Sequence, residues 1–234
     1  MAASVSGLPR QSPAANHLGE DVTAHLPDPA AVPGTAGMRP ADVEVWRHAV
    51  RHLPVRSNDV HTAYSYGLAA ALCDLYPEAD RDVVLPAIIL HDTGWSRIPE
   101  DEVLQAIRPG GGRADLVVRH EKEGAAIAAE ILTGLGRDPA TIARIVAIVD
   151  GHDSRPVALG LDDALVKDAD KLWRLTPHGV GTVMDWFGLT RPQAHALIGS
   201  RVHEHLCTDA ARAMARGLAA IATMDSDPRR IVLG

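Results

Sequence analysis

Asp80-Arg81-Asp82-Val83-Val84-Leu85-Pro86-Ala87-Ile88-Ile89-Leu90-His91-Asp92-Thr93-Gly94 is the stretch on which the fold turns. An aspartate placed to cap a helix precedes eight residues of apolar run, Val83 to Leu90. A His-Asp pair and a glycine follow it. The pattern predicts a buried helix opened by Asp80 and ended by Gly94 in a left-handed conformation. Pro86 either kinks that helix or marks its true first turn. This run is also the longest apolar segment in the chain, far below the ~20 residues needed to span a bilayer.

Helical spacing continues outward on both sides. Trp46, Ala49, Val50 and Leu53 repeat at helical intervals until Pro54. A second helix starts near Asn58 or Asp59, carries Tyr64, Leu68, Leu72 and Leu75 on one face and stops at Pro77. Beyond Gly94 the expected helices cover Glu100 to Ile107, Asp115 to Leu135, Ala140 to Val149 behind Asp138–Pro139, Asp162 to Leu175, and parts of 181–224. The Pro-Gly-Gly-Gly stretch at 109–112 reads as a flexible loop, and the segment from Trp95 to Gly112, which directly follows the His-Asp pair and ends in that glycine run, reads as a lid. No alternating strand flanked by turn signals is present, so the expectation is an all-α domain over residues 39–234. Residues 1–38, rich in Ala, Pro, Gly and Ser, read as a poorly ordered tail.

The chain has 234 residues, 46% apolar, with a formal net charge of −7. That fits one soluble domain and argues against a general nucleic-acid or membrane-surface binder, which would be basic. Cys73 and Cys207 form no CxxC pair, which excludes a disulfide framework and a thiolate zinc site. The start of the chain lacks a basic segment followed by an apolar one, so a cytoplasmic location is expected. More telling are the 12 histidines, and the 3 lysines among 23 basic residues.

Several histidines fall where a helix should be buried. His61 shares the inward face of its helix. His91 and Asp92 close the apolar run. His120 lies seven before Ile127 and eleven before Ile131, and His152 follows Ile145 and Val149 at the end of its helix. Asp170 shares a face with Val166 and Trp173. Burying any one of these without a partner costs several kcal/mol. One shared metal centre would satisfy them together, and four imidazoles with two carboxylates suit a divalent transition metal rather than Mg or Ca.

The order His61, His91-Asp92, Asp170 resembles the HD-domain superfamily of metal-dependent phosphohydrolases. The fragments Leu90-His91-Asp92-Thr93-Gly94 and Lys167-Asp168-Ala169-Asp170-Lys171-Leu172 carry the resemblance, which covers roughly residues 41–180. It implies an HD-domain helical bundle with a metal on His61, His91, Asp92 and Asp170. Asp168 is the competing carboxylate, about 200° around the helix from Asp170. His120 and His152 match members that hold two ions with the HD aspartate between them, and Asp153 is a fallback ligand should His152 turn outward. Fe or Mn is favoured for the two ions, with Co, Ni or Zn also accommodated. His178, His195, His203 and His205 lie outside the motif and read as surface or packing residues.

The implied activity is hydrolysis of a small phosphate ester or nucleotide by a metal-activated hydroxide. Asp92, Glu123 and Lys122 are its catalytic candidates, with Asp153 a further proton carrier. Arg97, Lys122, Lys167 and Lys171 are candidates for holding the substrate anion. Trp95 and Trp173 either line a pocket or pack the core. A branch of the same superfamily uses the same four histidines and two aspartates to hold di-iron and activate O2, which gives an oxygenase as the alternative. A non-catalytic module ranks last because no ligand is missing. The expected partner is a small, phosphorylated molecule, with no nucleic acid or membrane, and a homo-oligomer is compatible with the chain.

Overall fold

Val83 to Leu90 are buried on every side, which explains why the run shows no polar face. They form most of α3 (Arg81–Leu90), whose first turn is capped by Asp80 accepting from the amide of Asp82 at 3.0 Å. Pro86 sits inside the helix rather than in its first turn. The carbonyl it leaves without a partner belongs to Asp82, an exposed residue, so water can satisfy it.

A computed structural model describes residues 22–32 and 34–225, together with Gly19 and Asp227. The chain divides into two compact units, residues 1–36 and 37–234. The described part of the first forms two 3-10 turns, Thr23–His25 and Pro29–Ala31. More than half of the expected 1–38 tail lies outside the described residues.

The second unit is built of helices; among the described residues there is no strand. Around α3 pack α1 (Pro40–Ala49), α2 (Asn58–Leu75), α5 (Ala114–Gly134), α6 (Pro139–Val149) and α7 (Leu161–Trp173). A short helix α4 (Glu100–Ile107) lies against α5, and α8 (Pro177–Phe187), α9 (Arg191–Val202) and α10 (Asp209–Asp225) complete the unit. Leu72, Ile88, Leu90, Leu132, Ile145 and Leu165 belong to one core under this ring. A smaller cluster joins Trp95, Ile98, Val103, Ala106 and Leu116, with Val55 packed on it. Arg144 donates to Asp80 at 2.7 Å and to Asp162 at 2.6 Å, tying α6 to the starts of α3 and α7. No helix among the described residues is long and apolar enough to cross a membrane.

Two local expectations are corrected. The buried residues of α2 are Asn58, His61, Thr62, Ser65, Tyr66, Ala69, Leu72 and Cys73, whereas Tyr64 and Leu75 are 45% and 59% exposed. An apolar count misplaces this face because the inward stripe is largely small and polar. Gly94 is not in a left-handed conformation. It lies in a 3-10 turn, Thr93–Arg97, where a Cβ would overlap the carbonyl oxygen of His120 and the amide of Gly124. Glycine is required there because two backbones touch.

Candidate metal centre

That close approach brings the end of α3 onto α5, and with it Asp92 onto His120. His61 comes from the first turns of α2, His91 from just past α3, His152 from just past α6, and Asp170 from α7. All of these are buried. Their Nε2 atoms converge in two pairs: His61 and His91 at 3.0 Å, His120 and His152 at 3.4 Å. Two nitrogens each about 2.1 Å from one ion take such separations at right to tetrahedral angles.

Asp92 lies between the pairs and gives each a different oxygen. Its Oδ2 is 3.4 Å from His61 and 3.6 Å from His91. Its Oδ1 is 3.7 Å from His120 and 3.6 Å from His152. Each side has a further carboxylate. Asp170 Oδ1 lies 3.3 Å from His61 and 3.7 Å from His91. Asp153 Oδ2 lies 3.7 Å from His152 and 3.8 Å from His120. Asp153 therefore joins the cluster alongside an inward His152. Asp168 faces elsewhere, accepting from Cys207 N, Thr208 N and the Thr208 hydroxyl.

Two of the four imidazoles, His91 and His152, are oriented by a hydrogen bond at Nδ1, whereas Nδ1 of His61 and of His120 is buried without a partner. His91 Nδ1 is 2.7 Å from the carbonyl of Ile88, and His152 Nδ1 is 3.0 Å from that of Val149. A carbonyl only accepts, so Nδ1 carries a proton in both rings, and Nε2 is the nitrogen turned to the centre. Trp95 stacks on His120 with centroids 3.8 Å apart and donates to Asp92 Oδ1 at 3.0 Å. Trp173 meets His61 edge-on at 4.3 Å. Both tryptophans are buried and both wall the site.

Charge is arranged as a cation would require. Burial works against the ionised form of Asp92, but His91 and His152 outweigh it and hold its pKa well below the usual carboxylate range. Asp170 is likewise held down, against burial, by Arg174 and His61. Against burial, Asp153 and Asp92 raise the His152 imidazole to about 9. Burial and the charge of His152 lower His120. Four imidazoles and three carboxylates in a buried space form a donor set that fits divalent transition metals, binding of which would displace the proton that His152 holds.

The remaining expected residues are spread out. Lys122 is exposed, with Nζ 3.7 Å from Asp150. Arg97 is exposed, and Glu123 is half-buried with no hydrogen bond or ion pair of its own. Lys167 is buried and donates to the carbonyls of Gly151, His152 and Arg155 at 2.8, 2.7 and 2.9 Å, which uses all three of its N–H bonds. Lys171 is half-buried and lines a cavity of about 280 Å³ with Asp153, Arg174 and Trp186. The rest of that cavity is mostly apolar, from Ile107 at the end of α4, Val117 of α5 and residues of α8 and α9, with Arg201 of α9 a further cation in its lining. Ile107 reaches the cavity, and no residue of the 109–112 loop lines it. Of the outlying histidines, His178 accepts from Trp173 Nε1 at 3.1 Å and stacks on Tyr64.

Several residues at the site carried no signal in the sequence reading. Arg174 lies 3.3 Å from Asp170 and lines the cavity; its i, i+4 spacing from Asp170 was the available clue. Glu121 is buried and accepts from Asp153 N, Ser154 N and the Ser154 hydroxyl at 2.8, 2.7 and 2.6 Å. Arg56 and Asn58 also line the centre, and nothing in their spacing announces it.

These features define a helical protein with a buried, carboxylate-bridged pair of histidine clusters able to bind metal. The family model of the HD domain matches residues 59–175, half of the chain, and the protein belongs to that family. No match is found among curated proteins or among solved structures.

Proposed function

We propose that this HD-domain protein hydrolyses a small phosphate ester with two divalent ions. His61, His91 and Asp170 would hold one, His120, His152 and Asp153 the other, with Asp92 shared. The observation that carries this reading is the division of the two Asp92 oxygens between the two imidazole pairs. Bound there, the ions would supply Lewis-acid polarisation of phosphoryl oxygens and a lowered pKa for water.

The chain's own residues do the rest. Arg174 and Lys171, on the cavity wall, bring positive charge to the non-bridging oxygens of the substrate. Arg174 is the better placed, being beside Asp170. The substrate's remainder faces the mostly apolar part of the cavity, which also holds Arg201 and whose volume suits a small ester. Trp95 holds the orientation of both Asp92 and His120, so that the shared carboxylate cannot swing to one side.

Metal analysis of anaerobically purified protein, paired with a phosphate-release screen over monoesters, sugar phosphates and nucleotides, tests the proposal. The expected result is release that depends on added Mn or Fe and is lost on chelation. Absence of release with every metal, together with a mixed-valent di-iron signal perturbed by substrate, would replace it with the oxygenase reading.

A further inference from the structure

The turn before α2 has an unusual build. Arg56 and Ser57 are consecutive non-glycine residues in the left-handed region, at φ +54° and +58°. Each such residue costs roughly 1–2 kcal/mol, so surrounding contacts must hold the turn. Val55, packed on the smaller apolar cluster, anchors one side, and α2 begins at Asn58 on the other. The result is that the Arg56 side chain is directed inward. Its guanidinium lies 5.0 Å from the ring of Trp95 and 4.9 Å from that of Trp186, between two aromatic faces.

The rings hold the cation but leave its hydrogen-bonding edge unused. Arg56 Nε and Nη1 are buried with no partner, and so is Nδ2 of Asn58, a residue that is 2% exposed. Buried donors of this kind are ordinarily satisfied. Both residues line a small cavity of about 20 Å³ over the centre, with Asp92, Asp153, Asp170 and Arg174 also in its wall. The neighbouring cavity of about 280 Å³ shares Asp153, Arg174 and Trp186 with it. Three unpaired nitrogens that only donate, two on the guanidinium and one on the amide, call for a group that only accepts and carries negative charge. Burial lowers the Arg56 pKa to about 10, which leaves it charged at neutral pH.

We propose that Arg56 and Asn58 form an oxyanion-binding subsite beside the metal centre, one that takes a phosphoryl or similar tetrahedral oxyanion of the substrate. The inference rests on the reading of the centre as acting on a small phosphate ester, and extends it to the residues that recognise the anion. The aromatic faces fix the guanidinium plane in advance, so binding the anion needs little ordering of Arg56. Arg174 contributes from the opposite helix.

Titration calorimetry of the metal-loaded protein with inorganic phosphate tests it. Arg56→Gln removes the charge, and phosphate affinity is expected to fall about tenfold or more with metal content unchanged. Arg56→Lys keeps a cation between the rings but loses the fork, and an intermediate loss is expected; Asn58→Ala gives a smaller one. Should Arg56→Gln fail to fold, the other two variants carry the test. Phosphate affinity equal to wild type in the folded variants overturns the subsite, as does a wild-type protein that binds no phosphate. Arg56-dependent phosphate binding in a protein that hydrolyses no ester supports the subsite and removes the hydrolase reading. Ester hydrolysis and phosphate binding both indifferent to Arg56 do the reverse.

Discussion

The two halves of the centre are made of different material. His61, His91 and Asp170 stand on or directly at the ends of α2, α3 and α7, helices that pack on one another through the main core. His120 is on α5, but its companions His152 and Asp153 lie in the turn after α6, where Gly151 takes φ +118°. Asp153 is the one carboxylate of the cluster with appreciable exposure, at 26% of its side chain. The first half is held by helix packing. The second is held by two buried charged side chains that bind the turn's backbone: Lys167 to three carbonyls and Glu121 to two amides and a hydroxyl. A pair of proposed ligands on a turn needs its own internal scaffold, and here Lys167 and Glu121 bind the backbone of that turn.

The largest effect should come from the residue that belongs to both halves. Asp92→Ala is expected to reduce bound metal to background and abolish turnover, measured by mass-spectrometric metal analysis of the purified protein. His152→Ala, by contrast, should leave one ion per chain. Full metal content in Asp92→Ala would break the bridged arrangement altogether, and equal losses in the two variants would erase the distinction between halves.

A smaller, one-sided effect is expected from the scaffold. Glu121→Gln places an amide N–H among donors, and Lys167→Met strands three carbonyls. Each should weaken the second ion by about 10–100-fold while leaving the first unchanged. Stepwise metal titration separates the two ions; a loss shared equally by both would mean that the turn and the helices move as one.

The contrast also explains what was readable in the sequence. The first half is legible because each proposed ligand is tied to a helix whose boundaries are written in caps and periodicity: Asp80 opens α3, and its apolar run points to His91 and Asp92. His120 and His152 were legible for the same reason, as continuations of apolar faces. Lys167 is expected from the sequence to hold the substrate anion, and Glu121 has charged neighbours on its helix; only the packed turn shows that both are buried with backbone partners. Arg56 was illegible for another cause, since an arginine in a left-handed turn leaves no pattern in residue types. The α2 face was misplaced because its inward stripe serves the site and so is polar, where an apolar count expects Tyr64 and Leu75.

Glycine substitutions sharpen the comparison at its joint. Gly94 lets the turn after α3 meet α5, and an added Cβ would run into backbone atoms of His120 and Gly124, which cannot rotate away as a side chain can. Gly94→Ala must therefore separate the two elements, at a cost of about 1–3 kcal/mol, which at this chain length lowers Tm by about 2–4 °C per kcal/mol. Because the same movement draws His120 away from Asp92, the second ion should weaken with it and the first should not. Gly67, in α2 on the side of the first half, has nothing within 4 Å of a built Cβ. Gly67→Ala is expected to raise stability by up to about 1 kcal/mol through helix propensity alone, with both ions unaffected. Thermal unfolding of the two variants, with metal titration of each, reads the difference: a Gly94→Ala protein that keeps both its Tm and its second ion would mean the backbone contact does not set the spacing of the two halves.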